Sequence, residues 1–141
     1  MIKVLILDDQ ESYLRALRGA LRRELEVVTA ADLSAARNAM DDSIRVALVD
    51  VRLSEDDPTD KGGVEFLRWC KKSFPEVPVL MMSAFRDFDA TVEALNLGAD
   101  YFLKKPIDLR ELKALLHEFG EQGRIPDRTA ALRKSLDREE P

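Results

Sequence analysis

Cysteine and histidine are almost absent from this chain of 141 residues, which contains one of each. A single cysteine, Cys70, cannot form an internal disulfide. Even together with His117, it is too little for a zinc site built from cysteine and histidine. The sequence therefore excludes disulfide-stabilised secreted scaffolds and multi-histidine active sites, and we expect a reducing, cytoplasmic setting.

Long hydrophobic runs are also lacking. The longest are Val4–Leu7, Val46–Val49 and Val79–Met82, which are far below the roughly 18 residues of a membrane-spanning helix. Asp8 and Asp9 end the first run too early for an export signal. Neither sign of charge dominates, and a net charge of −5 gives no general attraction to nucleic acid or anionic membranes. We expect no membrane contact and no direct nucleic-acid binding in this segment.

What the chain does contain is short apolar runs that alternate with stretches of helical period. The runs are Val4–Leu7, Glu26–Thr29, Val46–Val49, Val79–Met82 and Tyr101–Leu103. Runs of this length that are rich in Val, Ile and Leu suit strands buried on both faces. Apolar residues three and four apart follow the runs, as in the stripes Leu14–Leu17–Leu21, Val92–Leu95 and Leu109–Leu112–Leu116. Five strand–helix repeats predict an α/β fold with a parallel sheet and helices on both faces.

The ends of the predicted helices carry appropriate residues. Asp32 and Asp108 stand where N-caps are expected, and Gly98 stands where the fourth helix should stop. After the fifth helix the pattern is broken by glycines and then by a charged stretch. We predict one domain over residues 1–119, followed by a linker or short helix over residues 120–141.

Side chains that can carry out chemistry follow four of the predicted strands. Asp8 and Asp9 follow the first strand, Asp50 the third, Ser83 the fourth and Lys105 the fifth. In open parallel sheets, ligands bind beyond the carboxyl ends of the strands. Three carboxylates at one edge repel each other unless a cation intervenes, and Mg²⁺ prefers such oxygens. The set suits transfer of a phosphoryl group to an aspartate, with lysine and metal neutralising the phosphoryl oxygens, although edge position alone does not select the nucleophile.

Four segments of the chain resemble the receiver domain of two-component response regulators. They are V-L-I-L-D-D at 4–9, V-A-L-V-D at 46–50, V-L-M-M-S-A at 79–84 and G-A-D-Y-F-L-K-K-P at 98–106. They occur in the family's order and cover about residues 1–119. The resemblance implies a flavodoxin-like, doubly wound (βα)5 fold with strand order 2-1-3-4-5.

The resemblance also implies a role for each matching residue in the site. Asp50 matches the phosphoacceptor, and Asp8 and Asp9 match the acidic pair that holds Mg²⁺ together with Asp50. The backbone carbonyl of Arg52 matches a further metal ligand. Lys105 matches the family's invariant lysine.

Two further positions match residues that respond to phosphorylation in this family. Ser83 matches the switch hydroxyl, and Phe102 matches the aromatic switch position. The Lys105–Pro106 bond matches a peptide bond that is cis in the family.

The function implied by the resemblance is a phosphorylation-controlled signalling switch. A histidine kinase or a phosphotransfer protein would donate the phosphoryl group to Asp50. The surface of the fourth helix, fifth strand and fifth helix would then change and be read by a partner, and homodimers can form through the same surface. Such a protein is not an enzyme beyond catalysing its own Mg²⁺-dependent phosphorylation and dephosphorylation.

The chain departs from the family pattern in three places. Pro58 and Gly62 arrive about four residues late, so the loop over 54–61 is longer and acidic. Phe85 lies two residues after Ser83, at a position that modulates phosphate lifetime in the family. With Arg52 on the other side of the site, we expect Phe85 to restrict the attacking water and slow hydrolysis. The third departure is a phenylalanine, without a hydroxyl, at the aromatic switch position.

Three other readings of the sequence are weaker. A phosphatase with an aspartyl nucleophile usually carries D-x-D-x-T after its first strand, which Asp8-Asp9-Gln10-Glu11-Ser12 does not match. A flavodoxin-like nucleotide or flavin binder needs a loop that attracts phosphate, and an acidic pair there repels it. The third alternative is a receiver-like interaction module that is not phosphorylated.

Overall fold

A computed structural model describes residues 1–54, 56–57, 59–84 and 88–123 of the chain. Five strands and five helices alternate within these residues. Their bounds are β1 (Lys3–Leu7), α1 (Glu11–Leu21), β2 (Glu26–Ala30), α2 (Leu33–Ala39), β3 (Val46–Asp50), α3 (Gly62–Ser73), β4 (Val79–Ser83), α4 (Phe88–Asn96), β5 (Tyr101–Lys104) and α5 (Leu109–Gln122). In this part of the chain, no helix has the length and apolar character needed to cross a membrane.

The strands form one parallel sheet in the order β2-β1-β3-β4-β5. The predicted α/β class, strand order and doubly wound architecture are therefore confirmed. The chain reverses its direction of winding between β1 and β3, which are hydrogen-bonded neighbours. At such a switch point, the loops that follow the two strands diverge and leave a crevice beyond their carboxyl ends.

Each face of the sheet carries its own hydrophobic core because successive strand residues point to opposite faces. Leu5 and Leu7 of β1 belong to the core under α2, α3 and α4. Val4 and Ile6 belong to the core under α1 and α5. All four side chains are fully buried, which explains why the strand sequences are almost uniformly apolar.

Helix ends follow the sequence predictions. The Asp32 carboxylate accepts the N–H of Ala35, and the Asp108 carboxylate accepts the N–H groups of Arg110 and Glu111. Gly98 has a φ of 93°, a left-handed conformation that favours glycine after a helix.

The inward faces of two helices differ from the predicted stripes. Val92 of α4 is 40% exposed and Leu109 of α5 is 38% exposed, whereas Ala90 and Ala94 form the buried face of α4. The α5 helix also continues past residue 119 and ends at Gln122. The division of the chain at residue 119 stays a prediction, and residues 124–141 lie outside the described part.

A buried ion pair joins the amino ends of β4 and β5 to α3. The carboxylate of Asp100 lies 2.6 Å from the ammonium of Lys71 and accepts the N–H of Val79 at 2.8 Å. The Asp100 N–H in turn donates to the Val79 carbonyl oxygen. These bonds hold the edge of the sheet that lies opposite the predicted site.

Candidate functional site

Three carboxylates meet beyond the carboxyl ends of β1 and β3. Asp8 and Asp9 follow β1 directly, and Asp50 is the last residue of β3. Each offers one carboxylate oxygen, and these three oxygens lie within 4.8 Å of one another. The predicted acidic cluster is therefore present, and it occupies the crevice at the switch point of the sheet.

The ammonium of Lys105 reaches the same cluster from the residue that follows β5. Its Nζ lies 2.9 Å from Oδ2 of Asp50 and 3.2 Å from Oδ2 of Asp8. Lys104, its neighbour, is exposed, so the two lysines have different environments. The peptide bond between Lys105 and Pro106 is cis.

Burial changes the acid–base behaviour of the cluster. Asp8 is fully buried and Asp50 is 7% exposed. Burial raises the pKa of Asp50 to about 6, although the Lys105 ammonium acts in the opposite direction. Burial alone would lower the pKa of Lys105, but the Asp50 and Asp8 carboxylates outweigh it and raise that pKa above its usual value.

The clustered carboxylates give the site its affinity for cations. Among the described residues, the Lys105 ammonium contacts two of the three carboxylates, Asp50 and Asp8, and carboxylates this close together repel each other. Oxygen ligands from carboxylates at this spacing are the donors that Mg²⁺ prefers. The residues present therefore fit a hard divalent ion.

Backbone groups fix the orientation of the carboxylates. The N–H of Gln10 donates to Oδ1 of Asp8 at 2.9 Å, and the N–H of Arg52 points to Oδ1 of Asp50 at 3.4 Å.

The N–H of Gly63 donates to the carbonyl oxygen of Val51 at 3.0 Å. A Cβ at residue 63 would lie 1.8 Å from the carbonyl oxygen of Asp50, so the start of α3 approaches β3 closely only because this residue is glycine.

The long loop between β3 and α3 is organised by its own acids. The Asp60 carboxylate accepts the N–H groups of Leu53 and Gly62, which joins the two ends of the loop. The Asp57 carboxylate accepts the N–H and the hydroxyl of Thr59. Asp56 and Asp57 are exposed, so among the described acids of this loop it is Asp60 that joins the end of β3 to the start of α3.

The hydroxyl of Ser83 contacts α4. Its Oγ lies 2.9 Å from Oγ1 of Thr91 and 3.0 Å from the carbonyl oxygen of Ala84. Phe102, the predicted aromatic switch residue, is half-buried on β5 and packs against the core under α3 and α4. Ser83, Thr91 and Phe102 line one groove between α4 and β5.

Sequence reasoning missed two residues of this site. Tyr13 of α1 places its ring 5.3 Å from the Lys105 ammonium, and burial raises the pKa of the tyrosine hydroxyl. Thr91 of α4 contacts Ser83. Tyr13 follows the acidic pair by one helical turn, which is a usable signal, whereas nothing in the spacing of Thr91 marks it.

Other predicted positions lie outside this cluster or outside the described residues. Phe85 belongs to the residues that the structure does not describe, so its predicted effect on phosphate lifetime stays a prediction. Cys70 is fully buried, and burial raises the pKa of its thiol to about 11. A buried thiol with a raised pKa is chemically unreactive, so Cys70 is a core residue.

Most of the chain is similar in sequence to proteins of one known family. A family model described as the response regulator receiver domain matches residues 4–117. The chain is 34% identical over 119 residues to the transcriptional regulatory protein ZraR of Klebsiella oxytoca, which covers 83% of this chain and 26% of that protein. It is 31% identical over 116 residues to the response regulator protein PilR of Pseudomonas aeruginosa, which covers 81% of this chain and 25% of that protein.

Solved structures agree with the sequence comparisons. The receiver domain of NtrX from Brucella abortus superposes with a TM-score of 0.72 at 29% identity, covering 84% of this chain and 98% of that one. A receiver domain protein from Clostridium thermocellum gives a TM-score of 0.76 at 24% identity, covering 86% of this chain and 96% of that one, and supports the fold alone. The chain spans about a quarter of the length of the ZraR and PilR regulators.

Proposed function

Because this chain belongs to the response regulator receiver domain family of two-component systems, we propose that it is a phosphorylation-controlled switch whose acceptor is Asp50. The single observation that carries the proposal is the contact of Asp50 with Lys105 inside a cluster that also contains Asp8 and Asp9. An aspartate with a cationic partner and two further carboxylates has the groups that acyl phosphate formation requires.

The proposed chemistry takes place at one oxygen of Asp50. This oxygen forms a bond to phosphorus while the bond between phosphorus and the nitrogen of the donor histidine breaks, and the nitrogen keeps the electron pair. Asp8, Asp9 and Asp50, with the backbone carbonyl of Arg52, are the groups proposed to hold Mg²⁺. The metal, when bound, supplies positive charge that neutralises the phosphoryl oxygens in the transition state.

Lys105 is proposed to change partners during the reaction. Its ammonium contacts Asp50 and Asp8 in the free protein. Once an oxygen of Asp50 has formed the acyl phosphate, the lysine can contact a phosphoryl oxygen without leaving the site, because it already lies 2.9 Å from that carboxylate. A lysine that is held in advance costs little reorganisation in the transition state.

Phosphorylation is proposed to change the surface formed by α4, β5 and α5. The acyl phosphate carries about −1.5 to −2 charges in place of the single charge of the Asp50 carboxylate, and it presents strong acceptors to the Ser83 hydroxyl. Phe102 is half-buried beside Ser83 in the groove between α4 and β5, where an inward rotation of its ring would alter the surface. The two states need to differ by only a few kcal/mol for phosphorylation to select between them.

The proposed partners are a histidine kinase or a phosphotransfer protein that supplies the phosphoryl group, and an effector that reads the α4-β5-α5 surface. This surface carries exposed apolar side chains at Phe88, Val92 and Leu109. Homodimerisation through the same surface is part of the proposal. Phe88 and Val92 lie one helical turn apart on α4, and neighbouring exposed apolar side chains mark protein–protein contacts.

Incubation with acetyl phosphate and Mg²⁺, followed by intact-mass spectrometry, tests the proposal. We expect the protein to gain the mass of one phosphoryl group, and the gain to be absent with EDTA. Asp50→Asn should abolish it, whereas Asp57→Asn is the matched control because Asp57 is an exposed acid on the loop that follows β3. No gain by the wild-type protein would favour an interaction module that is not phosphorylated, and a gain that persists in Asp50→Asn would assign the acceptor elsewhere.

A further inference from the structure

The hydroxyl of Ser83 is held by helix α4. Its Oγ donates to the carbonyl oxygen of Ala84 at 3.0 Å and lies 2.9 Å from Oγ1 of Thr91. A serine hydroxyl has one hydrogen, so when Ser83 donates to Ala84 it accepts from Thr91. Neither of these two partners belongs to the acidic cluster.

The contact between Ser83 and Thr91 is partly buried. Ser83 is 9% exposed, and Thr91 is half-buried beside Ala90 and Ala94, which face the core. A hydrogen bond in such surroundings competes with few water molecules and contributes more than an exposed one. The contact therefore connects the carboxyl end of β4 to α4.

From this geometry we infer that Thr91 is a positioning residue, which holds the switch hydroxyl of Ser83 away from Asp50. The same bond holds α4 in its position in the unphosphorylated protein. The inference rests on the proposed function, in which Ser83 donates to a phosphoryl oxygen on Asp50. The one hydrogen of Ser83 cannot serve Ala84 and the phosphoryl group together. Donation to the phosphoryl group therefore ends the bond to Ala84, and a displacement of the Ser83 oxygen toward Asp50 also lengthens its 2.9 Å contact with Thr91.

The other polar contacts of α4 with its neighbour helix do not involve the site. Glu93 of α4 lies 2.9 Å from Lys61 and 3.3 Å from Arg68, both on or next to α3. The two cationic side chains are largely exposed, and pairs of this kind contribute little to stability. The Ser83–Thr91 bond is a contact of α4 through which a change at Asp50 can act.

The decisive variants are Thr91→Val, which keeps the shape and removes the hydroxyl, and Thr91→Ser, which keeps the hydroxyl. Beryllofluoride with Mg²⁺ serves as the phosphoryl analogue, and its apparent affinity is measured by fluorine NMR. We expect Thr91→Val to tighten binding about two- to tenfold, the range that one hydrogen bond to the unphosphorylated state accounts for. Thr91→Ser should bind as the wild type does.

A double-mutant cycle separates positioning from a general effect on the fold. In a Ser83→Ala background, Thr91→Val should leave the affinity for beryllofluoride unchanged, because the partner of the threonine hydroxyl is gone. An unchanged or weaker affinity of Thr91→Val in the wild-type background would overturn the inference. An equal change in both backgrounds would also overturn it.

Hydrogen exchange of the protein in EDTA gives a second readout that does not depend on ligand. We expect Thr91→Val and Ser83→Ala to accelerate exchange of the α4 amides to the same extent, and Thr91→Ser to cause no acceleration. Equal protection of α4 in all four proteins would contradict a Ser83–Thr91 connection. If the wild-type protein takes up neither beryllofluoride nor a phosphoryl group, the proposed function is wrong. The exchange measurement would still test whether Thr91 is connected to Ser83.

Discussion

Two buried lysine–aspartate contacts lie at opposite ends of the same sheet and differ in how well their charges are balanced. At the amino ends of β4 and β5, Lys71 faces Asp100 at 2.6 Å, and the same carboxylate accepts a backbone N–H. At the carboxyl ends of β1 and β3, the Lys105 ammonium faces both Asp50 and Asp8, with Asp9 nearby.

The difference distinguishes an ion pair that stabilises the fold from a site that binds. One ammonium and one carboxylate at Lys71–Asp100 neutralise each other, and their side chains are 12% and 1% exposed. Among the described residues, the Lys105 ammonium contacts two carboxylates of the cluster, and Lys105 remains 26% exposed. We infer that repulsion between the clustered carboxylates costs stability at the site and that a cation offsets the cost.

The largest expected effect follows from Asp100→Asn, at the end of the sheet with the Lys71–Asp100 pair. Removing this charge leaves the Lys71 ammonium without its carboxylate in a buried position. We expect the free energy of unfolding to fall by about 3–5 kcal/mol, measured by urea denaturation in EDTA. A loss that is no greater than that of an exposed substitution such as Asp57→Asn would contradict the role of this pair.

The same change from aspartate to asparagine at Asp50 should raise the free energy of unfolding instead of lowering it. The pKa of Asp50 is about 6 in the folded protein, above its ordinary value of 3.8. Folding therefore favours the protonated acid, and the stability that this provides is fully present below 3.8 and lost as the pH rises through about 6. We expect Asp50→Asn to raise the free energy of unfolding above that pH, in EDTA, by about 2–3 kcal/mol.

Urea denaturation of Asp50→Asn and the wild type on both sides of this pH window measures the effect. The gain should shrink as the pH falls toward 3.8, because the wild-type acid then becomes neutral in the folded protein. If Asp50→Asn lowers the free energy of unfolding at neutral pH, the lysine–aspartate contacts at both ends of the sheet stabilise the fold.

Addition of Mg²⁺ should offset the cost in stability at the acidic cluster, and so reduce the difference between the two ends of the sheet. We expect the wild type to gain about 1–2 kcal/mol when Mg²⁺ exceeds its Kd roughly ten- to thirtyfold. Asp9→Asn should lose most of this gain because it removes a carboxylate from the cluster, and Asp57→Asn should keep it. Thermal unfolding with and without Mg²⁺ measures the effect, and an equal gain in both variants would place the binding of the metal elsewhere.

The smallest expected effect concerns Cys70, which precedes Lys71 on α3 and therefore reports on the end of the sheet with the Lys71–Asp100 pair. Burial raises the pKa of its thiol to about 11. We expect iodoacetamide at mildly alkaline pH to label the native protein at least about a hundredfold more slowly than the urea-unfolded chain. Intact-mass spectrometry follows the labelling, and similar rates in both states would show that α3 opens readily.

Much of the site could be predicted because its residues stand at the ends of strands. Asp8, Asp9 and Asp50 follow apolar runs, and in a parallel sheet the carboxyl ends of all strands lie at one edge. Lys105 could be placed at that edge for the same reason. The roles of individual residues came from resemblance to a family.

Contacts made through helices could not be predicted. Thr91 reaches Ser83 because α4 packs closely on the sheet through Ala90 and Ala94, whereas the predicted stripe placed Val92 inward. Periodicity identifies a helix but does not report how close that helix lies to the sheet, and alanine permits the closest approach.

The order of apolar runs and the residues at their ends determined the α/β class, the parallel sheet and the edge at which the acids lie, because these features depend on local pattern and on the handedness of crossovers. Tertiary structure alone decided that the Lys71 ammonium contacts Asp100 and that the Lys105 ammonium contacts both Asp50 and Asp8. That outcome depends on distances between side chains up to 97 positions apart in the chain, and sequence spacing does not encode such distances.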